Sequence, residues 1–161
     1  MFTKENLYKN TENLDTNGNV RIDMTIVCKE RNSEYRYHNR LQKHVAKIKI
    51  DGGLISNDQE RCDWLLINWD DGILFFIELK GSDLWKAVSQ IQTTIDTVKT
   101  NMLQQFSFKN INVRIILSKN QRPDYKNDAR YKKLEQLIKE KIGNIRNGNI
   151  RIESRQMQEN C

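Results

Sequence analysis

The sequence predicts a mixed α/β fold, with a mixed central sheet flanked by helices, in one domain of 161 residues. Short apolar strands and two amphipathic helices alternate in the order strand, hairpin, long helix, strand, helix, strand. The composition is 37% hydrophobic and 30% charged with one proline, which is ordinary for a compact protein and too apolar for a disordered one. The longest apolar run, Ile73–Ile77, is far shorter than the roughly 20 residues of a membrane-spanning helix.

Residues 1–20 are rich in Asn, Lys and Thr and show little periodicity. They predict at most a short helix over Lys4–Leu14, or a poorly ordered segment, followed by a loop at Asn17–Asn19. A strand is expected over Val20–Val27. The chain starts without an apolar signal segment and its cysteines show no paired spacing, so a cytoplasmic protein with reduced thiols is expected.

The middle of the chain predicts three strands, two of them joined in a hairpin. His44–Ile50 alternates as a strand does and is followed by a turn signal at Asp51–Gly53. Cys62–Asn68 and Ile73–Lys80 are separated by a short loop at Trp69–Gly72 and predict a β-hairpin. The second of these strands is apolar enough to be buried on both faces.

A long amphipathic helix is predicted next, over Asp83–Gln105 with Ser82 as its N-cap. Its apolar positions recur at helical spacing. They are Leu84, Val88, Ile91, Ile95, Val98 and Met102. This periodicity predicts that one stripe of the helix packs on the sheet.

Two more strands and a helix complete the prediction. Asn112–Leu117 is an apolar strand, and Asn149–Glu153 predicts a last one. Between them, Tyr125–Ile142 is a basic amphipathic helix that Gly143 stops.

The net charge of +6 and the isoelectric point near 9.2 favour an anionic partner. Positive charge concentrates in residues 109–161 and in the stretch Lys29–Lys49. Such surfaces suit phosphates, so nucleic acid is the expected partner, although a solvated basic face without a partner accounts for the charge equally well. The cations expected to contact nucleic acid are Arg36, Arg40, Lys43, Lys132, Lys133 and Lys139.

Three charged residues interrupt the apolar hairpin strands: Asp63, Glu78 and Lys80. One hairpin register places Asp63 opposite Glu78, and a register shifted by the turn places it opposite Lys80. Both registers put the three side chains on one face, because strand side chains alternate with period two. Two carboxylates at this spacing on buried strands repel each other unless a cation lies between them.

A divalent cation explains this arrangement. Carboxylate oxygens of Asp63 and Glu78, the backbone carbonyl of Leu79 and several waters suit Mg²⁺ or Mn²⁺. The alternative is a structural salt bridge between Lys80 and one of the acids, since ion pairs at strand ends are common.

The sequence Asp63, fourteen residues, then Glu78-Leu79-Lys80 resembles the D…(D/E)xK motif of the PD-(D/E)xK nuclease superfamily. The resemblance covers His44–Leu117, with Asn149–Glu153 able to close the sheet. It implies a restriction-endonuclease-like αβββαβ core and Mg²⁺- or Mn²⁺-dependent hydrolysis of phosphodiester bonds. Restriction, repair, recombination and phage defence are the processes in which such enzymes act.

Some positions depart from the family pattern or match it only in part. Cys62 replaces the proline that precedes the first acid. Glu34 and Asp51 are the candidates for the additional acid that many members carry, and Asp51 also suits its turn. Gln90 resembles the glutamine that RecB-like nucleases hold beside the metal, with a solvent-exposed glutamine as the alternative.

These features predict a metal-dependent endonuclease acting on DNA, in which Lys80 orients or helps deprotonate the attacking water. Weakly specific or structure-dependent cleavage is expected, because the chain has no room for a separate recognition domain. Cutting both strands would favour a homodimer. Two alternatives stay open: a catalytically silent nuclease-like module that binds nucleic acid or serves assembly, and a basic adaptor whose acids are structural. The sequence does not distinguish DNA from RNA.

Overall fold

The computed structural model describes residues 4–54, 59–101, 105–119, 124–139 and 148–161. Within these residues it is a mixed α/β structure, which confirms the predicted class. The helices are α1 (Lys4–Lys9), α2 (Leu84–Asn101) and α3 (Ala129–Lys139). The strands are β1 (Thr25–Glu30), β2 (Ser33–His38), β3 (Val45–Lys49), β4 (Trp64–Asn68), β5 (Ile73–Lys80), β6 (Asn110–Leu117), β7 (Ile150–Ser154) and β8 (Gln156–Asn160).

Five strands form a large mixed sheet in the order β3-β4-β5-β6-β7. The strands β3, β4 and β5 pair antiparallel, as a meander. The strands β5, β6 and β7 pair parallel. Parallel neighbours need a crossover between them, and α2 supplies it between β5 and β6.

The remaining strands form a small sheet in the order β1-β2-β8. The predicted strand Val20–Val27 is displaced to Thr25–Glu30, and neither β2 nor β8 was predicted. β2 alternates between buried and partly exposed positions, and Met157 is the one buried residue of β8. Both strands carry few aliphatic side chains, so their hydrophobic signal is weak. The pairing of β2 with β8 is parallel and joins residues far apart in the chain.

In the described residues, helices cover one face of the large sheet. Five residues of the predicted α2 stripe pack there with Leu134 and Ile138 of α3 and Leu7 of α1, namely Leu84, Val88, Ile91, Ile95 and Val98. The sixth, Met102, lies outside the described residues. The opposite face is covered by the small sheet, through a core that includes Cys28 and Tyr35. The expectation of a sheet flanked by helices therefore holds for one face, and a second sheet replaces the helices on the other.

Helix starts differ from the prediction because other residues cap them. Asp83, not Ser82, caps α2, accepting a hydrogen bond from the backbone N–H of Lys86 at 2.9 Å. Asp128 accepts one from the N–H of Arg130 at 2.8 Å, so α3 starts after it and not at Tyr125. The predicted stop at Gly143 lies outside the described residues.

The first helix ends at Lys9 and not at Leu14. Between β3 and β4, Ile50–Leu54 forms an irregular helical turn in which Gly52 has a positive φ of 71°. This agrees with the turn that the sequence predicts at Asp51–Gly53. None of the helices in the described ranges is long and apolar enough to cross a membrane.

Candidate functional site

The β4–β5 hairpin brings the two predicted acids together. Trp64 pairs with Ile77, and this register, continued by one residue, places Asp63 opposite Glu78. The structure thus selects one of the two registers that the sequence left open. Neighbouring Leu65 and Phe76 belong to the core under α2, so Asp63, Glu78 and Lys80 share the helix-covered face by strand alternation.

Two hydrogen bonds hold the acids across the strand ends. The backbone N–H of Asp63 donates to Oε2 of Glu78 at 3.0 Å. The backbone N–H of Leu79 donates to Oδ2 of Asp63 at 2.7 Å. Because the N–H and C=O of a strand residue point to the same side, the Leu79 carbonyl also faces the edge where Asp63 lies.

Glu78 is buried with one oxygen unsatisfied. It is 1% exposed, and its Oε1 has no hydrogen-bond partner among the described residues. Lys80 Nζ lies 3.6 Å from this oxygen, which makes an ion pair too long to count as a hydrogen bond. A buried carboxylate oxygen without a donor is costly in free energy, so this oxygen is suited to contact a cation or a hydrogen-bond donor.

Burial raises the pKa of both carboxyls. For Asp63, the charges of Glu30 and Asp51 add to the rise, and the Leu79 N–H and Lys80 oppose it. For Glu78, the charge of Asp63 adds to the rise caused by burial, and Lys80 opposes it. The pair therefore resists carrying two negative charges when no cation is bound.

A cleft of about 410 Å³ opens beside these residues, at the carboxyl ends of β5 and β6. This is the end of a parallel sheet at which ligands commonly bind. The residues that line it come from both sheets and from α2. They are Glu30, Arg31, Asn32, Ser33, Asp51, Asp63, Leu79, Lys80, Gly81, Gln90 and Ser118. Glu78 is not among them, because it lies buried next to Asp63 and Lys80.

Gln90 of α2 also lines the cleft and has a fixed orientation. Its Nε2 donates to the backbone carbonyl of Arg61 at 2.8 Å. Its Oε1 is buried and has no hydrogen-bond partner among the described residues. In the described part of the chain, the buried side-chain oxygen and nitrogen atoms that lack a partner are this atom and Glu78 Oε1.

Of the two candidates for an additional acid, one lies at the cleft and the other does not. Asp51 lines the cleft and pairs with the buried Arg61 at 3.1 Å. Glu34 does not line the cleft and instead pairs with Arg36 and with Lys29, so its candidacy is not supported. The reason is its position on β2, where it also accepts a hydrogen bond from Gln156 of β8.

Sequence reasoning missed Glu30 and Arg31, which reach the cleft from the small sheet. They lie at the end of β1 and in the β1–β2 turn. Arg31 lies in the basic stretch Lys29–Lys49, but nothing local places it or Glu30 at the site, because their position depends on packing of the small sheet against the large one.

None of the predicted phosphate-binding cations lines the cleft. Arg36, Lys43 and Lys139 each pair with a carboxylate, respectively of Glu34, Asp71 and Glu135. Arg40, Lys132 and Lys133 are exposed.

The donor set of the site fits a small, oxygen-binding cation. Within the described ranges, no group of three or more His, Cys, Asp or Glu side chains is arranged to hold a metal ion. Mg²⁺ is usually bound by only one or two carboxylates and keeps several waters. Asp63, Glu78 and the Leu79 carbonyl suit this pattern, and the unsatisfied Oε1 of Glu78 is the atom that a cation would satisfy.

Comparison with known protein families, with curated proteins and with solved structures gave no match to this chain.

The raised carboxyl pKa values predict that the metal-free protein loses stability as the pH rises. The folded state holds protons that the unfolded state releases above about pH 4, the ordinary carboxyl pKa. The unfolding free energy thus falls from about pH 4 up to the raised values of Asp63 and Glu78. Thermal melts in EDTA between pH 5 and 8 check this.

The control for this prediction is the double variant Asp63→Asn/Glu78→Gln, in which the amide oxygens can still accept the two backbone hydrogen bonds. Its melting temperature should depend less on pH across the same window. Parallel pH profiles for the two proteins would contradict the raised pKa values.

Proposed function

We propose that this protein is a Mg²⁺- or Mn²⁺-dependent nuclease that hydrolyses phosphodiester bonds of DNA, with Asp63, Glu78 and Lys80 at its active site. The observation that carries the proposal is the buried, unsatisfied Oε1 of Glu78 beside a second carboxylate and a lysine. A buried carboxylate oxygen without a hydrogen-bond partner calls for an explanation, and a bound cation is one that also accounts for the second carboxylate and the lysine beside it.

The fold supports the proposal. The order β3, β4, β5, α2, β6 corresponds to the βββαβ part of the restriction-endonuclease-like core that the resemblance implies. The acids lie on the hairpin strands, and the lysine follows one acid by two residues, as the D…(D/E)xK motif requires. The small sheet β1-β2-β8 has no counterpart in the αβββαβ pattern that the resemblance implies.

Asp63, Glu78 and the Leu79 carbonyl would hold the cation. When bound, it supplies charge neutralisation for the phosphate and lowers the pKa of a water. The remaining chemistry comes from side chains that line the cleft.

Lys80 Nζ lies between the buried acid and the cleft, with a quarter of its side chain exposed. From there its ammonium group orients the attacking water and stabilises negative charge on the phosphate oxygens. Gln90 lines the cleft and is held by the Arg61 carbonyl, with its Oε1 buried. Its role is to shape the wall of the cleft beside the acids.

The exposed lysines of α3 contribute to affinity and not to chemistry. Lys132 and Lys133 face solvent in a helix that packs against α2. Contacts from such residues to backbone phosphates strengthen binding without selecting a sequence.

The experiment that tests the function is incubation of the purified protein with labelled single-stranded, duplex and branched DNA and with RNA, each in Mg²⁺, Mn²⁺ or EDTA. Cleavage that requires the metal supports the proposal. Binding without cleavage in every condition would instead indicate the catalytically silent module.

Metal binding can also be detected without a substrate. In EDTA, Asp63→Asn should equal or exceed the wild type in thermal stability, because it removes repulsion between two buried carboxylates. Mn²⁺ at about ten times its Kd should stabilise the wild type by about 1.4 kcal/mol, or several degrees in Tm, and the variant much less.

A structural salt bridge predicts a different outcome. In the structure Lys80 pairs with Glu78, so Glu78→Gln would then lower the Tm, and Mn²⁺ would shift the Tm of neither the wild type nor Asp63→Asn. That pair of results would also support the basic adaptor whose acids are structural.

A further inference from the structure

The wall of the cleft opposite the acids is the end of the β1–β2 hairpin, from Glu30 to Ser33. The proposed mechanism assigns no function to these residues. It belongs to the small sheet, whereas the acids belong to the large one. What can reach the acids is therefore set by how the two sheets are packed.

The hairpin end is held firmly in place. Ser33 is 3% exposed, and Cys28 and Tyr35 are fully buried between the sheets. The N–H of Glu34 donates to the carbonyl of Arg155 at 2.9 Å, which ties the start of β2 to the turn before β8. Moving the wall away from the acids would require unpacking this core.

A fixed wall limits the width of what enters. Residues of the β1–β2 hairpin, of the large sheet and of α2 surround the cleft. A DNA duplex, whose major groove alone is about 12 Å wide, is too large to enter a cleft of this size. The cleft volume of about 410 Å³ is in the range that accommodates one small-molecule-sized group, such as a nucleotide.

Arg31, in the hairpin turn, carries the cation of this wall. It is exposed, and it adopts a left-handed backbone conformation with φ of 45°, which is uncommon outside glycine. Within the described part of the chain it forms no ion pair, whereas the other cleft cation, Lys80, pairs with Glu78. Its guanidinium group is therefore available for an anionic ligand, and arginine binds phosphate in a bidentate manner.

From these observations, and resting on the proposed nuclease function, we infer that the substrate is a single strand of DNA that passes between the β1–β2 hairpin and the acids. Arg31 is a positioning residue that binds a phosphate next to the one that is cleaved. Glu30, on the same wall, disfavours phosphate in contact with it and so helps to set the register of the strand.

The test measures binding, so that it does not depend on cleavage. The variant Asp63→Asn/Glu78→Gln is titrated with a short fluorescent single strand and with its blunt duplex, at several salt concentrations, in EDTA. The single strand should bind tighter than the duplex. Adding Arg31→Asn, which tolerates the left-handed backbone, should weaken single-strand binding about tenfold or more.

Two further variants separate charge from structure. Arg31→Lys should restore part of the affinity, because it restores the charge without the bidentate geometry. Arg31→Asn should also reduce the magnitude of the slope of log affinity against log salt for the single strand by about 0.7, the value for one phosphate that is no longer neutralised.

Arg21→Asn is the matched control, because Arg21 is exposed and does not line the cleft. It should leave affinity and salt dependence nearly unchanged.

The inference is overturned if the duplex binds as tightly as the single strand, if neither binds, or if Arg31→Asn leaves single-strand affinity unchanged. These outcomes are distinct from failure of the proposed function, which would appear as absence of metal-dependent cleavage by the wild type. In the active protein, Arg31→Asn should raise KM for the single strand and leave kcat nearly unchanged.

Discussion

Substitution of Asp63 by Asn or of Glu78 by Gln is expected to reduce metal-dependent DNA cleavage by at least about 10³-fold, with the fold retained. In the proposed site each carboxylate would supply one of the few protein oxygens available to a cation. The amide replacements keep the hydrogen bonds at 3.0 and 2.7 Å that join the strand ends. Initial rates on a labelled substrate in Mn²⁺, with circular dichroism of each variant, measure this effect.

The losses of activity caused by Asp63→Asn and Glu78→Gln should not be additive. The double variant should be about as inactive as either single variant, because both acids serve one site. Asp96→Asn is the matched control: it removes the same charge from an exposed position of α2 and should leave the rate unchanged. Wild-type cleavage by the double variant would refute the assignment of the active site.

Glu159→Gln is expected to cost about 3–5 kcal/mol of unfolding free energy, the largest stability effect among the substitutions considered. Arg114 is 1% exposed, and its Nε donates to Oε2 of Glu159 at 2.8 Å. The hydroxyl of Tyr35 donates to the same oxygen at 2.8 Å. Burial raises the pKa of Glu159, but the hydrogen bonds and charge of Arg114 outweigh it and keep the pKa low.

The substitution leaves a guanidinium charge buried between the sheets without its counter-charge. Urea unfolding of the variant measures the loss, and Glu5→Gln is the control, because its ion pair with Lys9 is exposed and should contribute less than about 0.5 kcal/mol. Combining Glu159→Gln with Arg114→Met should recover part of the stability, because the charge is then removed. A Glu159→Gln variant as stable as Glu5→Gln would contradict the role of this pair.

This pair also matters for the cleft. It joins β6 of the large sheet to β8 of the small one, and β8 pairs with β2, which carries one end of the β1–β2 hairpin. Glu159→Gln, which loosens the Arg114–Glu159 pair, should therefore reduce the difference in affinity between single-stranded and duplex DNA more than it reduces the rate of cleavage.

The strands of the large sheet were largely predictable from the sequence. The prediction Ile73–Lys80 coincides with β5, and Asn112–Leu117 differs from β6 only at its start. These strands are buried along their length, so their apolar runs are continuous and bounded by turn residues. Helix starts were predicted less well, because Ser82 and Asp83 are both good caps and only the fold shows which one accepts the hydrogen bond.

The sequence by itself determined that Asp63, Glu78 and Lys80 share one face of the hairpin, since period-two alternation holds in either register. Only the tertiary structure decided that Asp63 faces Glu78, and that Glu30 and Arg31 stand across a cleft from them. The small sheet depends on the pairing of β2 with β8, strands that lie more than 100 residues apart and are half exposed. Such strands carry weak hydrophobic patterns and take their position from the surface against which they pack, so no local stretch of sequence specifies the second wall of the site.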